Sequence, residues 1–288
     1  MKIKSCLEVS ASQAAARPTD RPFILESLWR DVDLIRKTNP LIHNITNWVV
    51  MSTTANVLLA LGAAPIMAHA LEELDEIIQR SHALVINIGT LDETCLTAIQ
   101  KAQQAALKRG IPIVFDPVGA GASTYRTTSA LSIIQRGVDV IRGNASEIMA
   151  LLDPSITTKG VDSLQASENA LASAEILAQQ YPCLVVVSGK IDFIVSQTNI
   201  IALDYGTSLL TKVVGMGCSL TAIIASFLAV NPDRYKATVH ATAWMGLMSE
   251  YAEKKSNGPG SFYMHLLDTL YAVEKKEVQN LFKTRVEV

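Results

Sequence analysis

Short runs rich in valine and isoleucine alternate along this chain with longer stretches whose apolar residues recur every three to four positions. The runs are Leu41 to His43, Pro65 to Met67, Ala83 to Ile88, Pro112 to Phe115, Val138 to Ile141 and Leu184 to Val187. Each is apolar throughout rather than at every second residue, the pattern of a strand buried on both faces. Between them lie helical patterns at Met51 to Leu61, Leu71 to Arg80 and Asp92 to Arg109; Gly62 and Gly110 stand where left-handed caps belong. An earlier amphipathic helix spans Pro22 to Lys37, with Leu25, Leu28, Trp29, Val32 and Ile35 on its apolar side. Doubly buried strands joined by helices require right-handed crossovers, so the pattern predicts an α/β fold: a mostly parallel sheet with helices on both faces. Asp192 to Val195 and Ile200 to Leu203 follow one another without a helix, which predicts an antiparallel hairpin at one edge. From Gly217 onward the chain reads as helical.

The chain has 288 residues, 49% of them hydrophobic, enough to bury the core of a single domain over residues 21–288. The first twenty residues have no apolar core and read as a mobile leader. A net charge of −2, with acids and bases interspersed, lacks the basic footprint of a nucleic-acid or membrane-surface binder and points to small-molecule partners. Cys6, Cys95, Cys183 and Cys218 are widely spaced, which argues against a zinc site or disulfide framework and for a reduced, cytoplasmic setting. The longest apolar stretches, such as Ala222 to Val230, fall short of the roughly 20 residues that cross a bilayer.

In open α/β sheets, ligands bind beyond the carboxyl ends of the strands, so polar and glycine-rich segments after strands are the places to look. In Lys212 to Leu220, Gly215 and Gly217 precede a long apolar helix, and such a turn aims unpaired amides and a helix dipole at one point, suited to a phosphoryl group. A plain helix start would need the same glycines. Cys218 sits at that start, where the dipole lowers a thiol pKa; it is either a weak base or hydrogen-bonding group, or a small buried residue. Asp116-Pro-Val-Gly-Ala-Gly121 places a carboxylate at a strand end, able to hold magnesium through water, with Arg126 nearby to neutralise phosphate oxygens; taken alone, an Asp-Pro turn and a loop arginine are more often structural and solvated. In Arg142-Gly-Asn-Ala-Ser-Glu147, Asn144 and Glu147 have capping-box spacing, and Glu147 would join Asp116 at a metal if their strands are neighbours. Asn44, Asn47 and Met51, after the first strand, could orient a flat apolar ring, although helical spacing alone favours core packing there. Ser188 and Gly189 end a buried strand and suit either nucleotide phosphates or an ordinary turn.

Taken in order, His43-Asn-Ile-Thr-Asn47, Thr54-Ala-Asn56 leading to Leu61-Gly-Ala63, Asp116 to Gly121, Arg142 to Glu147 and Gly215-Met-Gly-Cys218 resemble the hydroxyethylthiazole kinase family, over most of the chain from about Leu28. The resemblance implies a ribokinase-like fold, ATP as cosubstrate with Mg2+, and phosphorylation of a thiazole alcohol in thiamine salvage. It further implies a homotrimer with the thiazole site near subunit boundaries. Position by position it implies substrate contacts at Met51 and Gly215, joined by Asn44 and Asn47. ATP contacts fall at Arg126 and Ser188, joined by Gly217 and Asn144; the metal falls at Asp116 and Glu147, and Cys218 takes the place of a catalytic aspartate. Ser188 stands where a threonine is frequent in the family, and retains the hydroxyl. Alternatives on the same fold are a hydroxymethylpyrimidine-type kinase, a nucleotide-dependent dehydratase and a non-catalytic thiazole binder.

Overall fold

A computed structural model describes residues 21–153 and 164–283. Its strands are β1 (Leu41–Ile45), β2 (Ala64–Ile66), β3 (Ala83–Asn87), β4 (Ile113–Asp116), β5 (Val140–Asn144), β6 (Leu184–Ser188), β7 (Asp192–Val195) and β8 (Ile200–Leu203). They form one sheet in the order β2-β1-β3-β4-β5-β6-β7-β8. All pairings up to β6 are parallel, and β7 and β8 add as the antiparallel edge hairpin expected from the sequence.

The helices are α1 (Arg21–Thr38), α2 (Met51–Leu61), α3 (Leu74–Arg80), α4 (Glu93–Arg109), α5 (Thr124–Arg136), α6 (Ala145–Ala150), α7 (Leu164–Gln180), α8 (Met216–Leu228), α9 (Arg234–Glu253), α10 (Pro259–Ala272) and α11 (Lys275–Lys283). Two cores result, one on each face of the sheet. Successive strand residues point to opposite faces, so Ala83 and Val85 pack among residues of α1, α2 and α8 to α11, while Leu84 and Ile86 pack among those of α3 to α7. Doubly covered strands therefore need apolar residues at every position, which is why these runs do not alternate. Each large side chain buried in this way, such as Phe115 or Trp244, contributes about 1.5–3 kcal/mol.

Local chemistry sets the helix ends. Asp92, Ser123 and Asp233 cap α4, α5 and α9 by accepting from backbone amides of the first turn. Gly62 (φ 107°) and Gly110 (φ 73°) close α2 and α4 in the left-handed conformation expected of them. A buried polar clasp ties α1 to α9: Asp31 Oδ2 lies 2.6 Å from His240 Nδ1, and Asn231 Nδ2 donates to the same oxygen at 2.8 Å.

Most boundaries shift by one or two residues, and three of the differences have a physical reason. β1 continues to Ile45 and β5 to Asn144, because β3 and β6 run alongside them in register; Asn44 pairs with Val85, and Arg142, Gly143 and Asn144 pair with Val186, Val187 and Ser188. Residues that read as loops after strands are thus strand residues. Leu71 to Glu73 form a turn, and α3 starts at Leu74. The leader over residues 1–20, and Cys6 with it, lies outside the described residues. No helix among the described residues is long and apolar enough to cross a membrane.

Candidate active site

β1 lies between β2 and β3, so the chain leaves it toward one edge and returns on its other side. Such a switch point opens a crevice at the strand carboxyl ends. The first turn of α8 arrives at the same end. Its preceding residue, Gly215, has φ 86°, and no side chain caps the helix, so the amides of the first turn remain available to a ligand. A Cβ at Gly215 would lie 2.9 Å from Val50 Cγ1, so this glycine lets the start of α8 lie against the start of α2. Met51, partly buried, opens α2 beside that contact.

Cys218, in the first turn of α8, is held by two amides. Asn87 Nδ2 donates to its Sγ at 3.3 Å and Asn47 Nδ2 at 3.7 Å. Asn87 Oδ1 in turn accepts from Asn47 Nδ2 and from the Gly89 amide, both at 2.9 Å. Burial, and then the Asp116 carboxylate, push the thiol up to about 11, against smaller opposing effects of Arg142 and the two amides. Burial and the neighbouring carboxylate thus act against the lowering expected from the helix start and favour the thiol form at neutral pH.

Asp116 ends β4 and is fully buried. Thr221 Oγ1 donates to its Oδ2 at 2.8 Å, Arg142 Nη1 lies 3.6 Å from the same oxygen, and Oδ1 has no hydrogen-bond partner. Burial raises this carboxyl to about 6, countered by Arg142 and less by the Thr221 and Asn87 side chains, with Glu147 adding repulsion. Arg142 Nε donates to Ser188 Oγ at 2.8 Å, which turns the guanidinium toward α8. A Cβ at Gly217 would lie 2.6 Å from Arg142 Nη1, so the guanidinium sits directly on the α8 turn.

Glu147 lies beside this group but is engaged: Oε1 accepts from the Gly119 amide at 3.0 Å and Oε2 from the Asn144 amide at 2.9 Å. Asn144 Oδ1 accepts from the Glu147 amide, completing the capping box of α6. Among the described residues no cluster of three or more histidine, cysteine or acidic side chains forms a ready metal cage. A free, buried Asp116 oxygen with a second carboxylate nearby fits instead an ion that keeps most of its waters, as magnesium does.

The structure brings Asn47, Asp116, Ser188, Gly215, Gly217 and Cys218 to one end of the sheet, with Met51 at their margin and Glu147 behind Asp116. Two other candidates are occupied elsewhere. Asn44 is fully buried within β1, where its Nδ2 donates to Ile42 O at 2.8 Å and its Oδ1 has no partner. Arg126 donates to the carbonyls of Ile88, Val118 and Gly89, bracing two loops rather than presenting a free fork. Sequence reading assigned no role to Arg142, Asn87 or Thr221. The first two carried a signal, since a charged or amide side chain within an otherwise apolar strand needs a buried partner.

A profile of the hydroxyethylthiazole kinase family matches residues 32–276. Hydroxyethylthiazole kinase of Leptospira biflexa is 44% identical over 257 residues, covering 89% of this chain and 96% of the relative. That of Syntrophus aciditrophicus is 45% identical over 255 residues, covering 88% and 94%. The solved hydroxyethylthiazole kinase of Pyrococcus horikoshii superposes with a TM-score of 0.80 at 42% identity, covering 91% and 96%. A ribokinase-like superfamily protein of Enterococcus faecalis shares the fold at 15% identity, with a TM-score of 0.57 over 81% of this chain and 87% of its own. The switch-point crevice, the uncapped turn of α8 and the matched length agree, and the chain belongs to the hydroxyethylthiazole kinase family.

Proposed function

We propose that this protein transfers the γ-phosphoryl group of ATP to the hydroxyl of 4-methyl-5-(2-hydroxyethyl)thiazole, making the thiazole phosphate used in thiamine salvage. The observation that carries the mechanism is the Arg142 guanidinium held against Gly217 in the first turn of α8, with Asp116 and Cys218 beside it. Phosphoryl transfer passes through a loose transition state, so positioning and charge neutralisation matter more than a strong base. The amides of the α8 turn and Arg142 face the charge on the migrating group, and Ser188 orients Arg142. Cys218, a protonated thiol, orients the acceptor hydroxyl in place of a basic aspartate, and Gly215, Met51 and Asn47 border the ring. Asn44 supports that wall from within β1. Asn144 shapes the nucleotide side through the capping box, and Arg126 reaches the nucleotide only by releasing a carbonyl. Asp116 and Glu147 would hold magnesium through water, where it supplies charge neutralisation between phosphate oxygens.

Two further parts of this reading concern the whole particle. Trp48, Val49 and Val214 are 61%, 67% and 66% exposed and flank the Val50–Gly215 contact, an apolar margin that supports a homotrimer closing the site at subunit boundaries. The free Cys95, Cys183 and Cys218 support a cytoplasmic enzyme built as one kinase domain. Purified protein given ATP, magnesium and the thiazole alcohol should yield the phosphate ester by mass spectrometry, and light scattering should give a trimer mass. ATP binding with no phosphorylated product from the thiazole alcohol would overturn the activity.

A further inference from the structure

Asn87 is the last residue of β3 and 1% exposed, yet it belongs to a run otherwise made of apolar residues. Its amide has a defined orientation. Oδ1 faces two donors, the Gly89 amide and Asn47 Nδ2, each at 2.9 Å; the flipped amide would set its NH2 against both. Nδ2 is therefore left facing Cys218 Sγ at 3.3 Å, with the carboxylate of Asp116, its register partner on β4, also alongside. Asn47 is fixed in turn, because it packs on Gly89, where a Cβ would lie 2.7 Å from its Nδ2. The result is a closed circuit across three elements: the loop after β1, the end of β3 and the start of α8.

We propose that Asn87 is a positioning residue for phosphoryl transfer, acting through Cys218: its locked amide donates to Sγ and so fixes the rotamer of the thiol and the direction of its proton. Sulfur accepts from both amides, so its own hydrogen points away from them, toward the remaining open side. A thiol free to rotate would spread over several staggered positions, and small misplacements at a reacting centre are costly in rate. The two amides also oppose the burial that disfavours negative charge on sulfur. This rests on the reading that Cys218 meets the acceptor hydroxyl.

The test combines a double-mutant cycle with a readout that needs no substrate. Asn87→Ser removes the donor to sulfur, since its shorter hydroxyl does not span to it, and adds no charge beside Asp116, its register partner on β4. In the full chain, kcat should fall by about 10- to 100-fold, with KM for ATP held within about 3-fold. The same change in a Cys218→Ser background should cost much less, because its route of action is gone. Separately, iodoacetamide modification of Cys218, followed by peptide mass spectrometry at pH 8, should slow by about 3-fold or more in Asn87→Ser. Should Asn87→Ser not fold, Asn87→Thr supplies the same comparisons without adding charge. Unchanged alkylation, or losses that simply multiply with Cys218→Ser, would overturn the proposal. If alkylation slows but the wild-type protein phosphorylates no thiazole alcohol, the circuit stands and the activity assignment fails.

Discussion

The guanidinium of Arg142 is 12% exposed and fixed by Ser188 at 2.8 Å and Asp116 at 3.6 Å, whereas that of Arg126 is spent on three backbone carbonyls. The two arginines should therefore fail differently when truncated. Arg142→Ala should lower kcat on the order of 100-fold by removing a charge aimed at the transition state. Arg126→Ala should instead lower stability by about 1–3 kcal/mol in denaturant titration through unpaired carbonyls, with a smaller loss of kcat. The opposite ranking would return the phosphate role to Arg126. An arginine in a loop and one in a strand look alike as letters; only the register of β5 against β6 shows which one faces α8.

At the scale of elements, the start of α8 matters more than its body. Gly217 has no left-handed backbone to protect, but its missing side chain leaves the room that Arg142 fills, 2.6 Å from where a Cβ would stand. Gly217→Ala should therefore leave the melting temperature nearly unchanged, since alanine is the better helix residue by about 1 kcal/mol and the arginine tip can swing aside. Activity should fall nearly as far as in Arg142→Ala. A variant that melts much earlier instead would show that the glycine serves packing. Gly215 differs, because its φ of 86° and its approach to Val50 bind backbone conformation and interhelix contact together.

Across the whole molecule, placing charges at the carboxyl end of the sheet opposes stability. Asp192, at the β6–β7 turn, accepts from the Gly189 amide at 2.9 Å, yet desolvation of this partly buried carboxyl raises it to about 6. Between its ordinary value of 3.8 and about 6 the folded state holds a proton that the unfolded state has lost. Its contribution to stability is thus present below that window and lost as pH rises through it. Asp192→Asn, which keeps an acceptor for Gly189, should raise stability by about 1 kcal/mol at pH 8, and the gain should vanish near pH 4. Denaturant melts of both proteins across that range check it; a constant difference would implicate packing rather than charge.

The doubly buried runs such as Ala83 to Ile86 and Ile113 to Phe115 were enough to determine a helix-covered parallel sheet, because apolar residues at every position leave a strand no exposed face. The edge hairpin, the caps at Gly62 and Gly110 and the capping box at Asn144 were local in the same sense, each resting on a few adjacent residues. Which polar groups meet was decided only in three dimensions. Strand order brought Asn87 from β3 and Arg142 from β5 to the start of α8, and burial there set the Cys218 thiol against the pull of its helix. Desolvation and contact depend on what packs around a residue from distant parts of the chain, and a residue's own neighbours in sequence carry no measure of either.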